Sequence, residues 1–119
     1  PTVIIGADLC PIEGNQAYFQ RGDAVSLFHD LLPEFSAADL VLANLECPFI
    51  ERPSPIFKTG PNFGVPGDCI NGIQAAGIHV LGLANNHILD HGAAGLRHTL
   101  AVCARAGIAT VGAGRNLAE

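Results

Sequence analysis

The stretch LANNHILDHG (83–92) sets two asparagines, two histidines and an aspartate into ten positions, directly behind an apolar run, in a chain with 14% charged residues. Carboxylates and side-chain amides offer oxygens to hard divalent cations, and imidazole adds a borderline ligand or a proton shuttle. On that ground Asp8, Glu46 and Asn86 are candidate metal-ligating residues. A water bound to such a metal has a pKa near neutrality and attacks an ester or amide. His87, with Asp90 and His91 just beyond it, has the form of an acid–base imidazole followed three residues on by an orienting carboxylate. Asn44 and Asn85 are candidate substrate-binding amides beside these groups. Lys58, the only lysine of an acidic chain, lies in the long loop and is a candidate holder of an anionic substrate group. Each residue also has an ordinary reading, since Asp, Asn and His are common in turns and helix caps. Their convergence is what favours chemistry.

Convergence requires strands. Four short apolar runs, 2–5, 40–43, 79–83 and 109–111, are near-continuous in Val, Ile, Leu and Ala, as in strands covered on both faces. Helical patterns lie between them. Asp23 can cap a helix with Val25, Phe28, Leu31 and Leu32 on one face, ended by Pro33. A second begins near 66–68, turns Ile70 and Ile73 inward and closes at Gly77. A third runs over about 93–106, with Leu96, Leu100 and Cys103 at helical spacing. AGIHVLG (76–82) and AGIATVG (106–112) repeat one helix-stop, glycine, strand phrase at the length of a β-α-β unit, which predicts a parallel sheet. The fold class is therefore α/β, a parallel-rich sheet with flanking helices. Ligands of open α/β sheets collect outside the carboxyl ends of the strands. There the chain reads GADLC, ANLEC, LANNH and GAGRN, so Asp8, Asn44, Glu46, Asn85, Asn86 and His87 are expected along one edge. Residues 47–66 hold five of the eight prolines and read as a long ordered loop that covers something.

The totals narrow the functions. At 119 residues and 49% hydrophobic, the chain suits one globular domain over 1–119 and excludes disorder. A net charge of −5 argues against nucleic acid as a partner and is compatible with bound cations. No run is long enough to span a membrane, and the start lacks the basic region of a signal peptide. It also lacks an initiator Met, so the true N-terminus is expected upstream. Cys10, Cys47, Cys69 and Cys103 form no C-x-x-C pair, which excludes zinc-ribbon and thioredoxin spacings; most read as small buried residues, and the redox compartment stays open. Weaker signals are discounted. Gly112-Ala113-Gly114 lacks the third glycine of a dinucleotide motif. Arg21-Gly22-Asp23 is better explained as a loop and cap, and His29, His79 and His98 as structural or surface residues.

In their order along the chain, GADLCP, DLVLANLECPF, FKTGPNF, GIHVLGLANNHILDHGAAGLRHTL and AGIATVGAGRNLAE resemble the CapA family of poly-γ-glutamate capsule biosynthesis proteins. That family is similar to the calcineurin-like metallophosphoesterases, which implies an αββα sandwich with a two-metal site at the sheet edges. The resemblance implies Asp8 as the first metal-binding aspartate, Glu46 as the bridging carboxylate and Asn86 as the metal-binding amide. It implies His87 as the proton donor, Asp90 as its orienting partner and Lys58 as the lysine near the site. The cofactor would be divalent manganese, zinc, iron or magnesium. The activity would be hydrolysis of a phosphoester or amide in an anionic polymer or phosphoester substrate, and the place of action the cell envelope. The rival reading is a non-catalytic module that binds, exports or assembles an anionic polymer; a third is an α/β binding domain without metal. Two motifs depart from the pattern: Asp8-Leu9-Cys10 replaces Asp-x-His, and Gly6-Ala7-Asp8 replaces Gly-Asp. The chain resembles the N-terminal half of the family domain. That predicts either self-association or pairing with a C-terminal half.

Overall fold

The computed structural model describes residues 1–118. In chain order the elements are β1 (Val3–Leu9), α1 (Gln16–Gln20), α2 (Ala24–Phe28), α3 (Leu31–Ala37), β2 (Leu40–Leu45), β3 (Phe49–Ile50), β4 (Val65–Pro66), α4 (Ile70–Ala75), β5 (Val80–Gly82), α5 (Gly92–Arg105) and β6 (Ala109–Val111). Short 3-10 turns precede α1 (Glu13–Asn15) and α4 (Gly67–Cys69). The main sheet has the order β1-β2-β5-β6 and is parallel throughout; β3 and β4 form a second, two-stranded parallel pair. The expected α/β architecture is present. No helix among the described residues is long and apolar enough to cross a membrane.

The two glycine phrases explain the regular part. Gly77 and Gly107 take φ of 78° and 73°, a region that glycine enters without steric cost. After each, an isoleucine N–H reaches back to the last helical turn: Ile78 to the Ile73 carbonyl at 3.4 Å, Ile108 to the Cys103 carbonyl at 3.0 Å. This is the double-bonded αL helix stop, and its apolar residue is buried, 4% exposed at Ile78 and 5% at Ile108. Each stop then delivers the chain into a strand, and β5 and β6 pair Val80 with Ala109, Leu81 with Thr110 and Gly82 with Val111.

A strand order that follows the chain order, with right-handed crossovers, puts every connecting helix of the main sheet on one face. Burial follows. Val41, Ala43 and Leu45 are buried along β2 while Leu40, Leu42 and Asn44 between them are half-buried. On β1, Val3 and Ile5 pair with Leu40 and Leu42 and remain 55% and 75% exposed. The core lies on the helix side, where Leu81, Leu83, Ile73, Phe49, Val65 and Cys103 are fully buried.

Two details differ from expectation. The helix expected from Asp23 to Pro33 is two helices, broken at His29 (φ 44°). Asp23 does cap the first, accepting from the Ser26 N–H at 3.1 Å. Pro33 lies in the first turn of α3, where its missing N–H has no intrahelical partner to lose. The break swings Val25 and Leu31 outward, to 68% and 53% exposure. The second difference is α1, which sequence periodicity did not single out. It buries Phe19 against α4, where Gly72 leaves room for the Phe19 backbone.

Candidate functional site

β1 carries one residue more than β2 between the pairs Ile5–Leu42 and Asp8–Asn44. That bulge at Gly6-Ala7 absorbs the extra residue of Gly6-Ala7-Asp8 and sets Asp8 opposite Asn44. From there a row of polar side chains crosses the carboxyl edge of the sheet. Asn44 Nδ2 donates to Asp8 Oδ1 at 2.8 Å. Asn85 Nδ2 donates to Asn44 Oδ1 at 3.1 Å and to the Leu45 carbonyl at 2.9 Å, while its own Oδ1 accepts from the His87 N–H at 3.0 Å. Asn85 therefore braces the turn that starts the histidine segment, using both ends of its amide.

His87 and Asp90 are buried, at 7% and 1% exposure, with Nδ1 and Oδ2 2.7 Å apart. Burial works against a charged Asp90. It is outweighed by hydrogen bonds from Lys58 Nζ, from the Phe63 N–H at 2.7 Å and from His87, which hold the carboxyl below its ordinary range. An ionised carboxylate only accepts, so Nδ1 of His87 carries the proton and donates. Lys58 Nζ, 3.5 Å from that same nitrogen, is then a nearby charge and not its hydrogen-bond partner. The arrangement leaves Nε2 as the reactive nitrogen. It faces Glu46 Oε1 at 3.8 Å.

The sequence-derived residues are thus placed unequally. Asp8, Asn44, Asn85, His87, Asp90 and Lys58 form one continuous chain of contacts, with Glu46 beside its imidazole. Lys58 reaches the centre through Asp90, and Asn86 is exposed and makes no hydrogen bond to any described residue. Asp90 does not cap the following helix, whose N-cap is His91. Three features were missed. The Phe63 ring stacks on His87, centroids 4.2 Å apart at 25°. His91 Nδ1 accepts from the Ser54 N–H at 2.8 Å, and its carbonyl accepts from Ser54 Oγ at 2.9 Å, so residues 51–64 are strapped across the site. Cys10 and Cys47 form a disulfide, with Cα atoms 5.5 Å apart, just beyond Asp8 and Glu46. A signal for it existed: both cysteines follow the ends of strands that pair side by side.

As a metal site the donor set is open-sided. Asp8, Glu46 and Asn86 supply two carboxylates and an amide oxygen, suited to a hard cation. Among the described residues no three His, Cys, Asp or Glu side chains converge to hold one. An ion here would be held in part by these residues and in part by others.

Comparison with known proteins places this arrangement. The family model described as bacterial capsule synthesis protein PGA_cap matches residues 2–119. The chain belongs to that family. Among its relatives is a probable polyglutamine synthesis accessory protein of Mycobacterium tuberculosis, 40% identical over 90 residues, 71% of this chain and 22% of the relative. Another is the capsule biosynthesis protein CapA of Bacillus anthracis, 31% identical over 96 residues, 78% of this chain and 23% of the relative. This PGA_cap chain thus spans less than a quarter of the length of either relative.

Proposed function

We propose that this chain carries the acid–base half of a hydrolytic site in a capsule-synthesis protein that acts on an anionic polymer of the poly-γ-glutamate type. The observation behind this reading is His87. Its Nδ1 is tied to a buried carboxylate and its Nε2 faces Glu46 at the open edge. With Nδ1–H held by Asp90, Nε2 is the nitrogen that takes up a second proton, and as the imidazolium it gives that proton to a leaving group, while Asp90 and Lys58 hold the ring in place. Asn85 fixes the backbone at His87, and the strap over 51–64 shields the ring from water. A divalent ion held partly by Asp8, Glu46 and Asn86 would supply an activated water and charge neutralisation. Val3, Ile5, Leu40 and Leu42 would be covered by the rest of the longer protein or by a second copy. The disulfide favours an oxidising location, in keeping with the cell envelope.

The incomplete donor set favours one rival, a module that holds an anionic polymer without cutting it. The test uses the full-length protein with manganese or zinc, on poly-γ-glutamate and on a phosphomonoester. Expected are metal-dependent turnover that His87→Ala abolishes while metal binding survives, and metal binding that Glu46→Ala and Asn86→Ala weaken. Polymer binding without turnover under every metal would replace the hydrolase reading with the rival.

A further inference from the structure

We infer that His91 is a latch that releases the strap over 51–64 as pH falls. The latch stands on geometry, and its consequence, control of access to His87, rests on the hydrolytic reading above. The His91 ring is 6% exposed and sits between the two ends of the strap. On one side its Nδ1 accepts from the Ser54 N–H at 2.8 Å. On the other, Gly64 lies so close that a Cβ added there would be 2.7 Å from Nε2. An imidazole nitrogen that accepts a hydrogen bond carries no proton, so this ring is neutral with its hydrogen on Nε2. The next proton can enter only at Nδ1, where it sets one N–H against another. Protons and the closed strap therefore compete for a single nitrogen. His87 is wired the other way: its Nδ1 donates to Asp90, and a proton taken at Nε2 displaces no hydrogen bond.

The other ties of the strap do not compete with protons over the same range. The Ile56 N–H donates to the Asp90 carbonyl at 2.9 Å, the Phe63 N–H to Asp90 Oδ2 at 2.7 Å, and Lys58 Nζ to Asp90 Oδ1. Burial works against the charged Asp90, but its hydrogen bonds hold the carboxyl below the ordinary carboxylate range. These ties therefore persist between about pH 8 and pH 5, where imidazoles charge. The titratable and charged groups packed around the latch are Glu51, Arg52 and Lys58 on the strap, His87 and Asp90 on the preceding turn, and His98 on the same side of α5; β3 and β4 carry none. None of them is within ion-pair distance of His91. An imidazolium there would be desolvated and without a carboxylate, and lifting the strap relieves both penalties. A cavity of about 250 Å³, lined in part by Glu51, Arg52, Ser54 and His98, gives water a route to the Ser54 end. Ser54 Oγ still reaches the His91 carbonyl at 2.9 Å, so acid shifts the opening equilibrium and does not sever the attachment.

The test is hydrogen exchange by mass spectrometry on the full-length protein without added metal, from about pH 8 to pH 5, with each rate divided by its intrinsic value at that pH. Protection of peptides over 51–58 should fall with acid by up to about tenfold per pH unit, the slope for one competing proton, and recover on return to pH 8. His91→Asn places an oxygen where Nδ1 accepts and does not titrate, so it should flatten that slope. Ser54→Ala keeps the N–H and should lower protection at every pH while leaving the slope. In the wild type, slow deuteration at the imidazole C2 of His91 reports the ring's own titration, and strap opening should share its midpoint. Flat protection in the wild type, or a midpoint that differs from that of His91, would overturn the latch without recourse to any variant. So would a slope that survives His91→Asn, or one that vanishes in His87→Gln or His98→Gln instead. The readout does not involve turnover: an inactive protein that keeps the slope would remove the hydrolytic reading and leave the latch standing.

Discussion

The two ends of the polar row are built on different terms. At one end Asp90 is 1% exposed and accepts from three donors, and the ring it orients is stacked under Phe63. At the other end Asp8 sits exposed on the edge strand with a single amide donor, Asn44. The first end is over-determined: removing any one partner leaves others that define the same geometry. The second has spare oxygen valence and open space. Preorganised acid–base groups must be fixed before substrate arrives, whereas a cation or substrate group needs ligands left unsatisfied to receive it. What secures the open end is covalent, through the Cys10–Cys47 bridge across the ends of β1 and β2.

The largest effect is therefore expected at that bridge. Closing a loop of 37 residues restricts the unfolded chain, so reduction should lower stability by about 3–4 kcal/mol in the chain-entropy model. Denaturant unfolding with and without a phosphine reductant measures it. Burial pushes the Cys69 thiol up to about 12 and the Cys103 thiol up to about 11, so neither forms a reactive thiolate at neutral pH. Native reduction followed by alkylation should add two labels by mass spectrometry. Four labels would mean that the helix-side core opens with the bridge.

Asp90→Ala comes next, at about 2–4 kcal/mol, because it strands a half-buried ammonium and the Phe63 N–H. Its pH dependence has a definite sign. The Asp90 carboxyl holds its proton less readily folded than unfolded, so its contribution is complete above the ordinary carboxylate pKa of about 3.9. It is lost as pH falls from there through the depressed folded value. Asp90→Asn should flatten thermal stability across that acid window and leave the profile above it parallel to wild type. An unchanged acid limb would mean that other carboxylates dominate. Phe63→Leu should cost less, about 1 kcal/mol, since it keeps the backbone donor to Asp90 and removes only the stacked ring. His87 ring resonances should lose their aromatic shielding in that variant. Persistence of the shielding would refute the stack.

These contrasts follow the line between what was legible in the residues and what was not. β6 was read at its observed bounds, and α5 within a residue at each end, because Gly77 and Gly107 mark local stops that depend on few distant contacts. Asp8, Asn44, Glu46, Asn85 and His87 could be assigned to one edge because parallel strands and right-handed crossovers leave few arrangements. The break at His29 was not legible: Val25, Phe28, Leu31 and Leu32 keep helical spacing, and only packing against the core reveals two axes. The strap was opaque for the opposite reason. Residues 51–64 have no period, and their course is set by a few scattered bonds, two from Ser54 to His91 and one each from the Ile56 and Phe63 N–H groups to Asp90. Lys58 was recognisable as the only lysine, yet whether it faces substrate or Asp90 depends on that course.

The smallest effect belongs to the open end, and it discriminates best. Asp8 is exposed and its one hydrogen bond is to a neutral amide, so Asp8→Ala should move stability by no more than about 0.5 kcal/mol. Asn44 keeps its other partner, Asn85, and the bulge at Gly6-Ala7 is set by the backbone. A folded, equally stable Asp8→Ala protein with weakened manganese binding would show that this carboxylate is kept for a ligand. If the same variant unfolds several degrees earlier, Asp8 is a structural clasp between β1 and β2. The two ends of the row would then differ in exposure but not in kind, and the cation would have to be sought elsewhere along the edge.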